Sequence, residues 1–207
     1  MHQTNSIESV QLPIMEQFYS IQGEGFYSGR PAYFIRLGGC DVGCVWCDVK
    51  ESWDKNMHPH VEVHSIVESA LNVSAKFAVI TGGEPAMHDL ELLVKSLQNK
   101  KIEVAIETSG CYPIKPSVDW YCFSPKKFKN PIEEAYEKAD ELKVIIYHRS
   151  DFDWAIKHAA KVSSKCKLYL QPEWSKEAQI LPEIISFTKA NPTWHISLQT
   201  HKYMNIQ

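Results

Sequence analysis

The stretch "YFIRLGGCDVGCVWC", residues 33–47, runs from a β-branched and aromatic segment directly into a loop that contains three cysteines. The thiols belong to Cys40, Cys44 and Cys47, and no fourth cysteine is close to them in the sequence. An iron–sulfur cluster is normally held by four thiolates. Three thiolates on one loop therefore leave one iron without a protein ligand, and that open position can bind an exchangeable ligand.

A structural zinc site is the main alternative for the same cysteines. Such a site needs four protein ligands, and His58, His60 or His64 could supply the fourth. Structural zinc ligands usually come in pairs from two separate loops, whereas here three cysteines share one loop. The pattern favours the cluster and leaves zinc open.

The composition indicates one globular domain covering residues 1–207. Basic residues number 22 against 25 acidic ones, a formal net charge of −3, and they are scattered, so nucleic acid is not expected as a direct ligand. No export signal and no apolar run long enough to cross a bilayer are present, which predicts a cytoplasmic protein without a membrane partner. Its thiols should be reduced, and Cys111, Cys122 and Cys166 should be small buried hydrophobic residues.

Short strand-like segments alternate with helical patterns along the chain. Helices are predicted at 63–71, 88–99, 151–162 and 175–190, the last kinked or interrupted at Pro182. This alternation predicts crossover connections, and hence an α/β fold with a largely parallel sheet. The predicted strands are 33–37, 77–81, 104–108, 121–124, 143–147, 167–171 and 195–199.

Unusual residues come directly after the predicted strands. The cysteine loop comes after the first strand, "GGEP" at 82–85 after the second, and "PEW" at 172–174 after the sixth. Ligands of parallel α/β sheets and barrels bind at the carboxyl ends of the strands. The sequence therefore predicts a ligand site on this rim of the fold.

The Cys40-x₃-Cys44-x₂-Cys47 loop resembles the hallmark motif of the radical S-adenosylmethionine (SAM) enzymes. In that superfamily a 4Fe-4S cluster, held by the three cysteines, binds SAM at its free iron. The segment "TGGEP", residues 81–85, resembles the second hallmark, which receives the SAM amino group. The resemblance implies a trimmed, partial TIM-like barrel with mostly parallel strands.

Further segments narrow the resemblance to the 7-carboxy-7-deazaguanine synthases over nearly the whole length. The resemblance implies a lyase that contracts the ring of 6-carboxy-5,6,7,8-tetrahydropterin with loss of ammonia, on the route to queuosine in tRNA. A 5′-deoxyadenosyl radical from SAM would begin the reaction, because no side chain could break the C–H bond. The segments are "FYSIQGEGFYSGRPAYFIRLGGCDVGCVWCD" (18–48), "ETSG" (107–110), "SPK" (124–126), "QPE" (171–173) and "QTHK" (199–202).

Arg36 stands out among the implied substrate ligands because it lies inside an apolar strand. Its planar guanidinium matches a carboxylate, although an ion pair at the sheet edge is the alternative. The resemblance implies that Arg36 binds the substrate carboxylate and that the terminal carboxylate of Gln207 lines the pterin. The implied substrate-binding residues are Ile21, Gln22, Gly23, Glu24, Arg36, Thr108, His201 and Gln207. The implied SAM-binding residues are Trp46, Cys47, Asp48, Gly82, Gly83, Glu84, Gly110, Ser124, Pro125, Lys126, Gln171, Pro172, Glu173 and Trp174.

Val49 departs from the family pattern. The family usually has threonine there, whose hydroxyl helps bind a Mg²⁺ ion that also contacts the substrate carboxylate. Valine has no side-chain oxygen, and Mg²⁺ requires oxygen ligands. Either water or a neighbour such as Asp48 replaces the hydroxyl, or the metal is weakly bound or absent, so we expect reduced dependence on Mg²⁺.

Two other functions remain open from the sequence. A radical SAM activase that acts on a protein would share the core motif, and a zinc-stabilised binding module would have no catalysis. The family resemblance further implies a homodimer and a flavodoxin or ferredoxin as electron donor.

Overall fold

The computed structural model describes residues 10–207, and residues 1–9 of the predicted 1–207 domain lie outside this range. One nine-stranded sheet organises the described residues, in the order β3-β1-β2-β4-β5-β6-β7-β8-β9. β2 and β4–β9 pair in parallel, and β1 pairs antiparallel with both β2 and β3. The strands are β1 Gln11–Ile21, β2 Pro31–Leu37, β3 His60–Glu62, β4 Phe77–Gly82, β5 Glu103–Thr108, β6 Trp120–Phe123, β7 Glu141–Ile146, β8 Lys167–Pro172 and β9 Trp194–Ile196.

Helices connect the parallel strands and pack their apolar faces on the sheet. In α1, for example, Val63, Ile66, Val67 and Ala70 are all buried, as the helical spacing predicts. None of the helices in residues 10–207 is long and apolar enough to cross a membrane. The helices are α1 Val63–Asn72, α2 Glu91–Asn99, α3 Glu133–Lys138, α4 Asp151–Ala159, α5 Glu177–Ala190 and α6 Thr200–Met204.

This α/β architecture confirms the predicted partial barrel with mostly parallel strands. The seven predicted strands are all present, with ends shifted by a few residues, whereas β1 and β3 were not predicted. Of the two alternatives predicted at Pro182, a kink or an interruption, the interruption is wrong, because α5 continues through the proline. Ile180 and Ile184 are buried on either side of the proline, and their packing against the sheet offsets the one backbone hydrogen bond that proline cannot donate.

The loop between β1 and β2, residues 22–30, fills the interior of the barrel near the amino ends of the parallel strands. Ile21 pairs with Pro31 at the amino end of β2, so this loop starts at the opposite end of the sheet from the cysteine loop. Phe26 stacks on Trp120 at the start of β6, with ring centroids 4.6 Å apart. The backbone N–H of Gly25 donates to the Ser197 hydroxyl near β9, so the loop spans the barrel interior.

Candidate active site

A cavity of about 270 Å³ lies at the carboxyl ends of the parallel strands, as expected for this fold. Nearly all the implied ligand-binding residues line it, and the exceptions among them are Gly110 and Pro125. The lining residues are Phe18, Ile21, Gln22, Gly23, Glu24, Phe34, Arg36, Cys40, Val42, Cys44, Trp46, Cys47, Asp48, Val49, Ser52, Trp53, Thr81, Gly82, Gly83, Glu84, Glu107, Thr108, Ser109, Ser124, Lys126, Lys143, Ile145, Gln171, Pro172, Glu173, Trp174, Gln199, His201 and Gln207.

The three loop cysteines share one wall of this cavity. Cys44 is buried and Cys40 and Cys47 are half-buried, and all three belong to one apolar cluster with Val42 and Cys111. Burial raises the pKa of the Cys44 thiol to about 11 and also raises that of Cys40. Thiols in such surroundings are protonated until a metal displaces the proton, because the thiolate is the form that binds metal.

The three thiols do not converge on one point. No group of three or more histidine, cysteine or acidic side chains within residues 10–207 converges closely enough to hold one metal ion. In a 4Fe-4S cluster each cysteine binds a different iron, so the sulfur atoms need not meet at one point. His64 is exposed and pairs with Glu68, and the His58 ring bonds to the carbonyl of Glu51, so neither completes a zinc site in this arrangement.

The loop after β4 approaches the cysteine loop closely. The N–H of Glu84 donates to the carbonyl of Gly39, across 2.8 Å. A Cβ atom on Gly83 would lie 2.7 Å from that of Cys40, so only glycine fits against this part of the wall. The second hallmark motif therefore forms a cradle directly beside the thiols.

The Glu84 carboxylate at the base of this cradle is buried and fully engaged. Its oxygens accept hydrogen bonds from the Thr108 hydroxyl, from the N–H groups of Ala86 and Ser109, and from the Ser109 hydroxyl. Glu84 thus ties the loop after β4 to the end of β5. This network also shows that the Thr108 hydroxyl, implied as a substrate ligand, already has a protein partner.

A surface tether that was not predicted holds the outer side of the cysteine loop. Asp41, next to the first cysteine, accepts hydrogen bonds from Lys129 at 2.6 Å and from the hydroxyl of Tyr112. These bonds lower the pKa of Asp41 and raise that of Tyr112, and Lys129 also lies over the Tyr112 ring. The tether connects the loop after β2 to the segments that flank β6.

The implied SAM-binding residues line the cavity, except for Gly110 and Pro125. Lys126 donates to the carbonyl and hydroxyl of Ser124, and its pKa is lowered by burial. Trp46 packs edge-on against Phe128 at 6.1 Å. Gly110 has a φ of +74°, and a Cβ there would crowd Phe123 and Ala135, so its observed role is in a tight, closely packed turn.

Arg36 forms the ion pair that was considered as the alternative role. Its Nε donates to Glu16 on the neighbouring strand at 2.6 Å, and both side chains are partly exposed. The terminal guanidinium nitrogens of Arg36 have no hydrogen-bond partner among residues 10–207. Gln207 lies nearby, since its side-chain amide donates to the other carboxylate oxygen of Glu16 at 3.4 Å.

The floor of the cavity is formed by Gln22, Glu24, Glu107, Lys143 and Gln199. Its charged residues were predicted only in part. Lys143 donates to Glu24 at 2.6 Å and lies 3.5 Å from Glu107, and the lysine side chain is only 4 % exposed. Gln22 donates to Glu107 at 3.0 Å, and Gln199 donates to Glu24 at 2.7 Å. The available signal for Lys143 and Glu107 was a charged residue within an otherwise apolar predicted strand.

The charges on this floor shift one another's ionisation. Burial alone would raise the pKa of Glu24, but the Lys143 charge and the hydrogen bonds to Lys143 and Gln199 outweigh burial and lower it to about 2. The two carboxylates raise the pKa of Lys143 well above its ordinary value despite its burial. Burial lowers the pKa of His201, so its imidazole is neutral at pH 7. The floor therefore carries a fixed ion pair, the Glu24 carboxylate with the Lys143 ammonium group.

Comparison with known proteins agrees with this geometry. Residues 34–117, which include the cysteine loop and the cradle, match the model of the Radical SAM superfamily. The fold, the three-cysteine loop and this match define a radical SAM protein.

More specific relatives cover nearly the whole chain. A 7-carboxy-7-deazaguanine synthase of Flavobacterium psychrophilum is 54% identical over 94% of this chain and 92% of its own. Its counterpart in Synechocystis sp. is 48% identical over 96% and 95% of the two chains. The crystal structure of QueE from Escherichia coli superposes with a TM-score of 0.83 at 30% identity, covering 91% of this chain and 93% of that one. The chain belongs to the 7-carboxy-7-deazaguanine synthase family.

Proposed function

We propose that this protein is the radical SAM lyase that converts 6-carboxy-5,6,7,8-tetrahydropterin to 7-carboxy-7-deazaguanine, with loss of ammonia, in the route to queuosine. The observation that carries the proposal is a single cavity that joins three loop thiols to a floor of fixed polar groups. Membership in the synthase family supports the same reaction, and neither the activase nor the zinc module accounts for a closed polar floor.

The residues on the cysteine side of the cavity fit the 4Fe-4S cluster and SAM, the two cofactors of the superfamily. Cys40, Cys44 and Cys47 would hold a 4Fe-4S cluster, and the cavity that these cysteines share with Gly83 would hold a ligand of the open iron. The implied SAM residues that line the cavity would surround that ligand. When bound, the cluster and SAM together supply the radical that removes hydrogen from the substrate.

The chain's own side chains would bind and orient the substrate. Arg36 uses Nε for Glu16, so its remaining N–H groups can donate to the substrate carboxylate. His201, neutral at pH 7, can both donate and accept a hydrogen bond at the edge of a heterocycle. Such placement of a flat, polar ring beside the cofactor wall supports the reaction by fixing its orientation and excluding water.

Mg²⁺ has a weak set of candidate ligands in this chain. Val49 lines the cavity without a side-chain oxygen, and the Ser52 hydroxyl donates to the Val49 carbonyl at 2.7 Å. Asp48 offers an exposed carboxylate, 3.5 Å from Lys202. Because Mg²⁺ requires oxygen ligands in octahedral geometry, we expect this enzyme to depend on it only weakly.

The remaining partners stay predictions. A flavodoxin or ferredoxin would deliver the electron, the protein would form a homodimer, and its location would be the cytoplasm. Reduction by purified flavodoxin and sedimentation of the anaerobic protein test the first two predictions.

The proposed function is tested by incubating anaerobically reconstituted, reduced protein with SAM and the carboxylated pterin. We expect 7-carboxy-7-deazaguanine and ammonia in equal amounts. The variants Cys40→Ala, Cys44→Ala and Cys47→Ala should lose iron and all turnover, whereas the matched control Cys166→Ala, at a buried thiol outside the cavity, should keep both. Absence of product from iron-loaded wild-type protein would refute the proposed reaction.

A further inference from the structure

The two carboxylates of the cavity floor, Glu24 and Glu107, differ in how many of their oxygens accept hydrogen bonds from the protein. Glu24 accepts from Lys143 through one oxygen and from Gln199 through the other. Its carboxylate therefore has a strong protein donor at each oxygen, and the Glu24 N–H in turn donates to the Gln22 amide oxygen. Glu24 serves mainly to hold the floor together.

Only one of the two carboxylate oxygens of Glu107 accepts a hydrogen bond from the described residues. Its Oε1 accepts from Gln22 at 3.0 Å and lies 3.5 Å from the Lys143 ammonium group. Its Oε2 accepts no hydrogen bond from any residue in the range 10–207, and the side chain is 23 % exposed where it lines the cavity. A carboxylate anchored through one oxygen and open at the other is a preorganised acceptor for a donor group of a ligand.

The sheet register relates this acceptor to Arg36. Arg36 on β2 pairs with Thr81 on β4, and Ile80 pairs with Ile106, which places Glu107 in the same row on β5. Arg36, Thr81 and Glu107 all line the cavity, so they share one face. With strands about 4.8 Å apart, Arg36 and Glu107 start about 10 Å apart, with one strand between them.

The proposed substrate has the matching arrangement of groups. Its carboxylate lies on one ring of a flat bicyclic heterocycle, and its exocyclic amino group lies at the far end of the other ring. With the carboxylate bound at Arg36, the amino group can reach the β5 wall, where the open oxygen of Glu107 lies. A charged acceptor for an N–H group is stronger than a neutral one, and an unmatched one rejects ligands that lack the donor.

We propose that Glu107 is a specificity-determining residue whose Oε2 accepts a hydrogen bond from the exocyclic 2-amino group of the pterin, with Lys143 and Gln22 holding its Oε1. This inference rests on the proposed function and deepens it. Nothing in the sequence motifs of the family resemblance assigned a ligand role to Glu107 or Lys143.

The experiment measures equilibrium binding of two probes to the anaerobic holoenzyme with SAM present. One probe is 6-carboxypterin, and the other is the same compound with hydrogen in place of the 2-amino group. We expect the wild-type protein to prefer 6-carboxypterin by about 10-fold to 100-fold, the range for a hydrogen bond to a charged group. In Glu107→Gln this preference should fall to a few-fold, with SAM affinity unchanged.

Glu103→Gln is the matched control, because Glu103 lies at the other end of β5 and pairs with Arg30 outside the cavity. It should keep the wild-type preference. Melting temperature and iron content establish that each variant is folded and loaded. If Glu107→Gln keeps the preference, or if the wild-type protein has none, the inference is overturned; the second result needs no variant.

The measurements distinguish a failure of the role of Glu107 from a failure of the proposed function. Wild-type turnover together with an unchanged preference in Glu107→Gln would overturn the role of Glu107 alone. Wild-type holoenzyme that binds neither probe and forms no product would overturn the proposed function itself.

Discussion

Lys143 donates a hydrogen bond to Glu24 across 2.6 Å inside the barrel, although 119 positions separate the two residues in the chain. The pair joins strand β7 to the loop between β1 and β2. It fixes the floor of the cavity, because the same loop also contacts Ser197 and Gln199. The shape of the cavity floor and the stability of the fold therefore depend on the same ion pair.

Removal of the Lys143 charge should destabilise the protein strongly. In Lys143→Met the carboxylates of Glu24 and Glu107, which are 15 % and 23 % exposed, lose their shared counter-ion. Breaking a buried ion pair typically costs about 3–5 kcal/mol. Urea unfolding of the apoprotein measures the loss. Lys115→Met, at an exposed pair with Asp89, is the control and should change the free energy of unfolding by less than about 1 kcal/mol. Equal losses in the two variants would contradict the structural role of Lys143.

The same pair predicts a particular dependence of stability on pH. The pKa of Glu24 is about 2 in the folded protein against an ordinary 4.5, so its charged form stabilises the fold above about pH 4.5. That contribution is lost as the pH falls from 4.5 toward 2, because protonation removes the interaction with Lys143. The unfolding free energies of wild-type protein and Glu24→Gln should therefore converge over this range. A gap that stays constant between pH 6 and pH 3 would contradict the assignment.

Loosening the surface tether should make the cluster easier to remove. In Asp41→Asn the charge that accepts from Lys129 and Tyr112 is lost, so the outer side of the cysteine loop moves more freely. We expect iron release to a chelator to be several-fold faster, with little change in the global unfolding free energy, because the contact is at the surface. Asp89→Asn, which removes a similar surface pair with Lys115, provides the control and should release iron at the wild-type rate. An unchanged rate in Asp41→Asn would show that the tether does not hold the loop.

Substitution of Val49 by threonine should create a stronger dependence on Mg²⁺. The two side chains are similar in shape, and threonine adds the one oxygen that the cavity wall lacks at this position. Turnover of the wild-type protein should change little on treatment with EDTA, whereas Val49→Thr should be stimulated by added Mg²⁺. The comparison is made on preparations with equal iron content. Wild-type turnover that collapses on chelation would show that other oxygens already bind the ion.

Much of the fold could be predicted from local pattern. Alternating strand and helix periodicities indicated the seven strands β2 and β4–β9 and the mostly parallel sheet, and the unusual residues at the strand ends indicated the rim where the cavity lies. β1 was missed, although it pairs with β2 over most of its length, because its residues do not form a clean alternation of apolar and polar side chains. Local pattern could not decide whether Pro182 interrupts α5, since tertiary packing keeps the helix continuous through the proline.

The sequence by itself determined the chemistry of the wall that carries the cysteines, because three thiols within eight positions and the segment "TGGEP" at 81–85 are local patterns that specify a metal-binding loop and its cradle. Only the tertiary structure decided the floor. Lys143, Glu107 and Glu24 come from three distant segments, and their charges meet because the sheet register and the inward course of residues 22–30 bring them to one face. Periodicity identifies which residues share an element, but the register between elements decides which charges become neighbours.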